Sequence, residues 1–248
     1  MAEQDHRVCF DRPLERGRLI KRYKRFLADI EMDDGREMTV HCPNPGAMMG
    51  LKEPGLTAWV LDSGNPKRKL SHTLELIEYD GQPVGINTNR PNKIAEKAIL
   101  AGLVPELTIP AGHTLRREVP YGKNSRIDLL IEPEDGVEGQ RCFIEIKNVH
   151  LRREDVGNRR IAEFPDSVTS RGAKHLDELI EQHKAGHRAV MLYVIQRMDC
   201  DQFGIAGDID AAYAEAFDRA RMAGVEMIAY GCQIDTSGIQ LAGPIPVL

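Results

Sequence analysis

The sequence predicts an α+β protein of two domains, in which an all-β part is followed by a mixed α/β part. Two observations favour this division. Up to about residue 86 the apolar residues fall in short runs broken by turn signals, whereas from Pro91 onward segments of helical period alternate with strand-like runs. We therefore expect one domain at 1–86 and a second at 87–248.

The first part contains two hairpin signals. Asp34-Gly35 and Asp80-Gly81 each place a glycine, which tolerates positive φ, between β-favouring runs. The second hairpin is the clearer one, because 72–79 and 84–87 flank its turn directly. Several short strands with basic edges predict a small barrel of the OB type, although periodicity alone also fits another small β domain.

The second part begins with a helix that we expect Asn92 to cap and Gly102 to end. Three strands forming a meander, a helix, a strand, a second helix and a last strand follow. The three strands of the meander are predicted at 114–121, 126–132 and 142–149. The first helix starts after Ser167 or Ser170 and runs to Lys184, and the second spans 209–223. The two remaining strands are predicted at 189–195 and 225–231. The run 189–195 is apolar on both faces, which is typical of a central strand. The order predicts a mixed sheet covered by helices.

Composition limits the class of protein. The 248 residues are 42% hydrophobic and carry a formal net charge of −5. The N-terminus lacks the apolar core of a signal peptide, and no run approaches the roughly 20 apolar residues that span a bilayer. We expect a cytoplasmic protein that does not bind membranes. The five cysteines never form CxxC, so neither a disulfide framework nor a zinc knuckle is predicted.

Basic residues are clustered in spite of the negative net charge, and clustering of this kind favours a nucleic-acid-binding face. The densest run lies at 12–25, where seven basic residues accompany Glu15 alone among acids and where Tyr23 and the adjacent Phe26 provide aromatic rings. Aromatic rings among basic residues suit a groove that binds phosphates and stacks bases. We predict DNA contacts for Arg18, Lys21, Arg22, Lys24, Arg25, Lys67, Arg68, Lys69, Arg126, Arg171 and Lys174.

An acid-rich constellation lies on two successive predicted strands. Side chains alternate along a strand, so Glu145 and Lys147 share one face while Ile144 and Ile146 occupy the other. Asp128 stands among apolar residues on the preceding strand. If the strands pair, we expect Asp128, Glu145 and Lys147 to converge at one end of the sheet.

Phosphodiester hydrolysis uses these residue types together. Mg²⁺ takes one or two carboxylates and keeps waters and substrate oxygens in its other positions. We predict that Asp128 and Glu145 bind Mg²⁺ or Mn²⁺, that Lys147 orients water and stabilises phosphoryl charge, and that Glu118 is an additional catalytic acid. The amides at the start of the helix near Arg171 and Lys174 favour a phosphate.

Other interpretations stay open at this point. A [DE]xK triplet arises by chance, and Glu145 with Lys147 also fits a solvated cross-strand pair on a hairpin. The chain could bind DNA as a regulator without catalysis, because nuclease-like folds can host pure binders. A third interpretation is a protein or metabolite interaction module. Homodimerisation is left open as well.

Several separated motifs resemble one family over essentially the full length. They are 13–14, Gly17-Arg18-Leu19-Ile20-Lys21-Arg22-Tyr23-Lys24-Arg25-Phe26, His41-Cys42-Pro43-Asn44, Asn65-Pro66-Lys67-Arg68-Lys69, Arg117-Glu118-Val119, Ser125-Arg126-Ile127-Asp128, Glu145-Ile146-Lys147, Phe164-Pro165-Asp166, Arg171-Gly172 and Lys174-His175-Leu176. With these motifs the chain resembles the sugar fermentation stimulation protein A (SfsA) family.

The resemblance implies an N-terminal OB-like β-barrel and a C-terminal α/β domain similar to the PD-(D/E)xK (restriction-endonuclease-like) nucleases. It also implies DNA binding without sequence preference and an association with the regulation of sugar metabolism of the maltose type. The metal-site role is carried over to Asp128, Glu145 and Lys147.

Overall fold

The computed structural model describes residues 6–122, 125–135, 139–153 and 160–248. Within them the chain forms a β-barrel followed by a mixed sheet with helices on both faces, as the sequence predicts. In the described ranges no helix is long and apolar enough to cross a membrane. All five cysteines are free thiols.

Six strands of the first part form one sheet, and five of them close into a barrel. The six strands are β2 (Leu14–Tyr23), β3 (Leu27–Met32), β4 (Glu37–His41), β5 (Thr57–Asp62), β6 (His72–Tyr79) and β7 (Gln82–Gly85), after a short β1 (Val8–Cys9). Their order is β4-β3-β2-β5-β6-β7, and a parallel pairing of His41 with Thr73 joins β4 to β6 and closes a five-stranded barrel. Its core includes Leu19, Ile30 and Leu74.

Both predicted hairpins are present. Gly35 has φ 81° between β3 and β4, and Asp80 and Gly81 have φ 50° and 71° between β6 and β7. A third tight turn was not predicted. Lys24 and Arg25, with φ 45° and 64°, join β2 to β3, and neither residue type normally signals such a turn.

The second domain is a seven-stranded sheet in the order β1-β15-β14-β12-β10-β9-β8. Its strands after β1 are β8 (His113–Tyr121), β9 (Ser125–Pro133), β10 (Cys142–Val149), β12 (Arg188–Ile195), β14 (Glu226–Asp235) and β15 (Gly238–Pro244). Strand β12 pairs in parallel with β10 and β14 and is buried on both faces, as predicted for 189–195. The sequence did not predict β15, or the two-stranded parallel sheet of β11 (Ile161–Phe164) and β13 (Gln202–Ile205). Strand β1 precedes the barrel in sequence but pairs with β15 in this second sheet.

Three helices cover the sheet. Helix α1 (Pro91–Leu100) packs on one face, while α2 (Ser170–Lys184) and α3 (Ala211–Ala223) pack on the other. A short 3₁₀ turn, Pro105–Leu107, follows α1. Thr169 and Asp210 cap α2 and α3 by accepting backbone N–H groups, and Gly224 ends α3 in the left-handed conformation.

The predicted cap of α1 is wrong. Arg90 occupies the N-cap without a side-chain hydrogen bond, and Pro91 takes the first helical position. Asn92 instead donates from Nδ2 to Asp128 Oδ1 at 2.8 Å. The side chain that we expected to cap the start of the helix therefore supports the candidate site.

The two domains share a packed junction. Leu76 of the barrel belongs to the same buried cluster as Ile94 and Ile144 of the second domain. The N–H of Gly85 donates to the carbonyl of Gln196 at 2.9 Å. The buried guanidinium of Arg197 lies 5.1 Å from the Tyr79 ring centroid. Apolar packing and hydrogen bonds thus fix the walls between which the candidate site lies.

Candidate functional site

A cleft of about 890 Å³ opens between the barrel and the second sheet. The barrel contributes Arg25 and the loop 44–47, and the second domain contributes Asp128, Glu145 and Lys147 among others. The sheet therefore brings together the three residues that the sequence predicted to converge. They face a second wall formed by another domain, which the sequence did not indicate.

Asp128 lies where the β9–β10 ladder ends. The last registered pair of these strands is Ile144 with Leu129. Beyond it, Asp128 Oδ2 accepts the backbone N–H of Ile146 at 2.7 Å, and Oδ1 accepts from Asn92. Burial and the charge of Glu145 raise the pKa of Asp128 to about 6.

Glu145 is buried at 2% exposure beside two cationic or polar partners. Lys147 Nζ donates to Glu145 Oε1 at 2.7 Å, and His175 Nδ1 of α2 contacts the same oxygen. Lys147 Nζ also lies 3.3 Å from His175 Nδ1. Burial alone would raise the pKa of Glu145, but Lys147 and His175 outweigh it and the pKa is lowered. Glu145 is therefore held as a carboxylate.

The second oxygen of Glu145 has no hydrogen-bond partner among the described residues. Oε2 is buried and accepts no hydrogen bond from any described residue. An unpaired buried carboxylate oxygen is costly, so a ligand that satisfies it is favoured. The described residues hold no group of three or more acidic, histidine or cysteine side chains placed to bind a metal. Two carboxylates with open positions for water and substrate oxygens suit Mg²⁺ or Mn²⁺, so these residues fit the ion.

Asp166 ties the opposite wall of the cleft to the second domain. Its Oδ2 accepts the N–H of Met48 at 2.9 Å and lies 3.1 Å from Nε2 of buried His150. Burial raises the pKa of Asp166, but the contacts from His150 and Met48 outweigh burial and lower it. The approach is close at Gly46, where an added Cβ would lie 2.3 Å from Asp166 Oδ1. A side chain at position 46 would therefore clash with Asp166.

Both domains match known family models. The SfsA N-terminal OB domain matches residues 20–86, and the sugar fermentation stimulation protein RE domain matches residues 89–238. The chain belongs to the SfsA family. The matched folds confirm the predicted OB barrel and the predicted restriction-endonuclease-like domain.

Individual SfsA relatives match along nearly the whole chain. Sugar fermentation stimulation protein homologs from Brucella ovis and Brucella anthropi are each 52% identical to it, over 240 and 241 residues. These alignments cover 97% of this chain and 97% and 100% of the relatives. The structure of Pyrococcus furiosus SfsA in complex with Ca²⁺ is similar at a TM-score of 0.84 and 27% identity, covering 97% of this chain and 98% of that one.

The predicted DNA-binding residues of this SfsA-family chain are used in different ways. Arg22 donates from its guanidinium to the carbonyls of Arg25, Asn44 and Gly46, which makes it a structural residue of the cleft wall. Lys21 pairs with Asp29 at 3.3 Å, and Arg18 donates to the Gly55 carbonyl.

The remaining predicted contacts lie on exposed surfaces. Arg171 lines the cleft and donates to His175 Nε2 at 3.3 Å. Lys174 lies near Ser125 and Glu178. Six of the predicted DNA-binding residues are exposed and have no acidic partner in the described ranges: Lys24, Arg25, Lys67, Arg68, Lys69 and Arg126. Their contact with DNA stays a prediction.

The structure does not bring Glu118 into the cleft. Glu118 is exposed on β8 with φ 50°, and its carbonyl accepts from Arg126. The cleft contains other polar side chains instead, among them His150 and Asp166. These two were missed because they stand alone on separate elements, with no spacing pattern to join them. The nearest signal was the Phe164-Pro165-Asp166 motif.

Proposed function

We propose that this chain is a DNA-binding protein whose interdomain cleft is a phosphodiesterase site dependent on Mg²⁺ or Mn²⁺. The supporting observation is Glu145, a buried carboxylate beside Asp128 and Lys147 with one oxygen that no described residue satisfies. The similarity to Pyrococcus furiosus SfsA in complex with Ca²⁺ also supports a divalent ion in this family. The relatives are named for sugar fermentation stimulation, and we propose a regulatory role in sugar metabolism for this chain.

Asp128 and Glu145 would hold the ion. When bound, the ion lowers the pKa of a bound water and neutralises charge that develops on the phosphoryl oxygens. Lys147 stabilises the same charge from the protein side, while its contact with Glu145 Oε1 orients that carboxylate. His175 fixes the same oxygen from α2, and Arg171 at the helix start is placed for a flanking phosphate.

A second candidate is DNA binding without cleavage. Lys147 and His175 both contact Glu145 Oε1, and this neutralisation by protein groups competes with a metal ion. A regulator of this kind would bind DNA through the charged walls of the cleft without cleaving phosphodiester bonds.

Incubation with DNA separates the two candidates. We would treat circular single-stranded DNA and supercoiled plasmid with the wild-type chain, with Asp128→Ala and with Asp177→Ala, in Mg²⁺, Mn²⁺ or EDTA. Asp177 is the matched control because it is an exposed acid of α2 that pairs with Arg219 outside the cleft. Metal-dependent products from the wild type and Asp177→Ala, but not from Asp128→Ala, are expected. Equal products from all three would overturn the assignment, and DNA shifts without products would favour the second candidate.

A further inference from the structure

An aromatic ring is exposed at the tip of the β2–β3 hairpin. Phe26 is 44% exposed, and its ring centroid lies 6.4 Å from that of His41 on β4, with the two planes inclined by 36°. The turn before it holds Lys24 and Arg25 at positive φ, a backbone conformation that side chains disfavour. An exposed apolar ring next to a strained turn gains free energy when a ligand covers it and removes it from water.

Exposed cations lie in the turn before this ring and in the loop between β5 and β6. Lys24, Arg25 and Arg68 are exposed, and none of them forms an ion pair with an acid in the described part of the chain. Some other basic residues of the barrel are paired with acids: Arg12 lies 3.2 Å from Asp62, and Arg16 lies 3.4 Å from Asp33. The cations beside Phe26 keep their positive charge uncompensated, and this charge favours an anionic partner.

His41 adds a second, uncharged ring. Burial and the charge of Arg68 both lower its pKa, so the imidazole is neutral at physiological pH. Arg68 contacts Thr73 Oγ1 at 3.4 Å, and Thr73 is the residue paired with His41 between β4 and β6, so the guanidinium lies near His41. We call Phe26, His41, Lys24, Arg25 and Arg68 the Phe26 platform.

The Phe26 platform continues into the cleft through Arg25, which belongs to both. A cleft of about 890 Å³ lies in the size class of pockets that enclose small ligands. A pocket of this size suits a few unpaired nucleotides, whereas a stacked duplex requires an open groove. Exposed bases are also what an aromatic platform needs, because bases within a duplex are already stacked on each other.

We infer that the chain binds single-stranded nucleic acid, with bases stacked on Phe26 and His41, phosphates beside Lys24, Arg25 and Arg68, and the strand entering the cleft past Arg25. The stacking does not require cleavage. Only the fate of the strand inside the cleft rests on the proposed function. Oligo(dT) and oligo(U) present the same chemistry, and comparing them distinguishes DNA from RNA as the source.

The test is fluorescence anisotropy in EDTA with labelled oligo(dT), oligo(U) and a DNA duplex, each of about 12 nucleotides or base pairs. Phe26→Ala is expected to weaken binding of at least one of the single strands about tenfold, since stacking on an aromatic ring is a main source of such affinity. Phe26→Leu, which keeps the apolar volume without the ring, should weaken it similarly. Met222→Ala is the matched control, because Met222 is 89% exposed on α3.

Charge variants test the phosphate contacts separately. Arg25→Ser and Arg68→Ser should each lower the salt dependence of single-strand binding by about 0.7 in the log–log slope. Arg12→Ser is the control, since Arg12 is paired with Asp62.

Two results would overturn the platform: a duplex bound as tightly as both single strands, or Phe26→Ala and Phe26→Leu binding like the wild type. If Phe26→Ala binds normally while Asp128→Ala abolishes cleavage, the platform fails and the proposed function stands. If Phe26→Ala weakens single-strand binding while cleavage is insensitive to Asp128→Ala, the platform stands and the proposed function fails.

Discussion

Asp128 Oδ2 accepts the backbone N–H of Ile146 at 2.7 Å, so a side chain continues the hydrogen bonding where the β9–β10 ladder stops. Ile146 lies between Glu145 and Lys147, and its own side chain packs into the apolar core on the other face of the sheet. The hydrogen bond therefore couples Asp128 to the peptide unit that joins Glu145 to Ile146, one residue before Lys147. The site lies where the β9–β10 pairing ends. The paired strands lie on one side of it, and the cleft opens on the other.

Asp128→Asn should stabilise the fold at neutral pH in the absence of metal. The pKa of Asp128 is raised to about 6 in the fold, against about 3.9 for an unperturbed aspartate. The folded state therefore binds its proton more tightly than the unfolded chain, and stability falls as pH rises between these two values. Asparagine removes this penalty, and its oxygen still accepts the Ile146 N–H, while Asn92 must turn its amide so that its oxygen accepts from the new amide nitrogen.

The measurement is urea unfolding in EDTA. Asp128→Asn should gain about 1 to 2 kcal/mol near pH 8 and less near pH 4.5. Asp177→Asn, an exposed acid, should change little. Added Mn²⁺ should stabilise the wild type but not Asp128→Asn, as ligand linkage requires. A less stable Asp128→Asn at pH 8 would contradict the raised pKa.

His175→Ala should weaken metal binding although His175 is not one of the proposed metal ligands. His175 Nδ1 contacts Glu145 Oε1 and so orients the carboxylate whose other oxygen is open. Loss of such an orienting partner typically lowers metal affinity 10- to 100-fold. Calorimetric titration with Mn²⁺ measures the effect.

His175→Asn places an amide near the position of Nδ1 and should recover part of that affinity. His183→Ala, at the other end of α2, is the control. Unchanged Mn²⁺ affinity in a folded His175→Ala protein would remove His175 from the site.

Asp199→Asn should destabilise the junction of the two domains. Asp199 binds the buried guanidinium of Arg197 through both oxygens, at 2.8 and 2.7 Å, and also pairs with Arg152. Removing the carboxylate leaves buried cationic charge, which costs on the order of 3 kcal/mol. Chemical unfolding at neutral pH measures this loss.

The same variant has a defined pH dependence. Burial would raise the pKa of Asp199, but Arg197 and Arg152 outweigh it and hold the pKa well below its usual range. The contribution is therefore full above about pH 4 and is lost as pH falls below that value. The difference from wild type should shrink only in this acidic window. Asp201→Asn is the control, because the Asp201 pair with Arg160 is half exposed and contributes little.

Gly46→Ala should disturb the barrel wall of the cleft. The added Cβ would lie 2.3 Å from Asp166 Oδ1, so either the loop or Asp166 must move. Overpacking of this kind costs about 1 to 3 kcal/mol. Gly243→Ala is the matched control, since an added Cβ there meets nothing within 4 Å. Thermal unfolding compares the two, and equal melting temperatures would show that the contact with Asp166 is loose.

Local patterns predicted the elements that depend on local chemistry. Alternation placed Glu145 and Lys147 on one face, and the unbroken apolar run at 189–195 marked the central strand β12. Asp80-Gly81 marked a hairpin because glycine is suited to positive φ. In each case the physical cause acts within a few residues.

Long-range partners could not be predicted in the same way. Asn92 resembled a helix cap, but Asp128 on another strand takes its amide. Arg22, a predicted DNA contact, also donates from Nη2 to carbonyls 22 and 24 residues away at Asn44 and Gly46, and no local pattern indicates these partners. Short strands such as β11 and β13 stabilise each other across the chain, and neither is long enough to show a period.

Strand β1 gives the fold an unusual seam. Val8 and Cys9 lie against Ile239 and Gly238, and the buried side chains of Val8 and Phe10 join the core of the second sheet. A fragment that begins after the barrel would lack β1 and expose the edge of β15, and an exposed strand edge favours self-association. The residues before the barrel therefore protect an edge of the other domain, and the two domains are best expressed together.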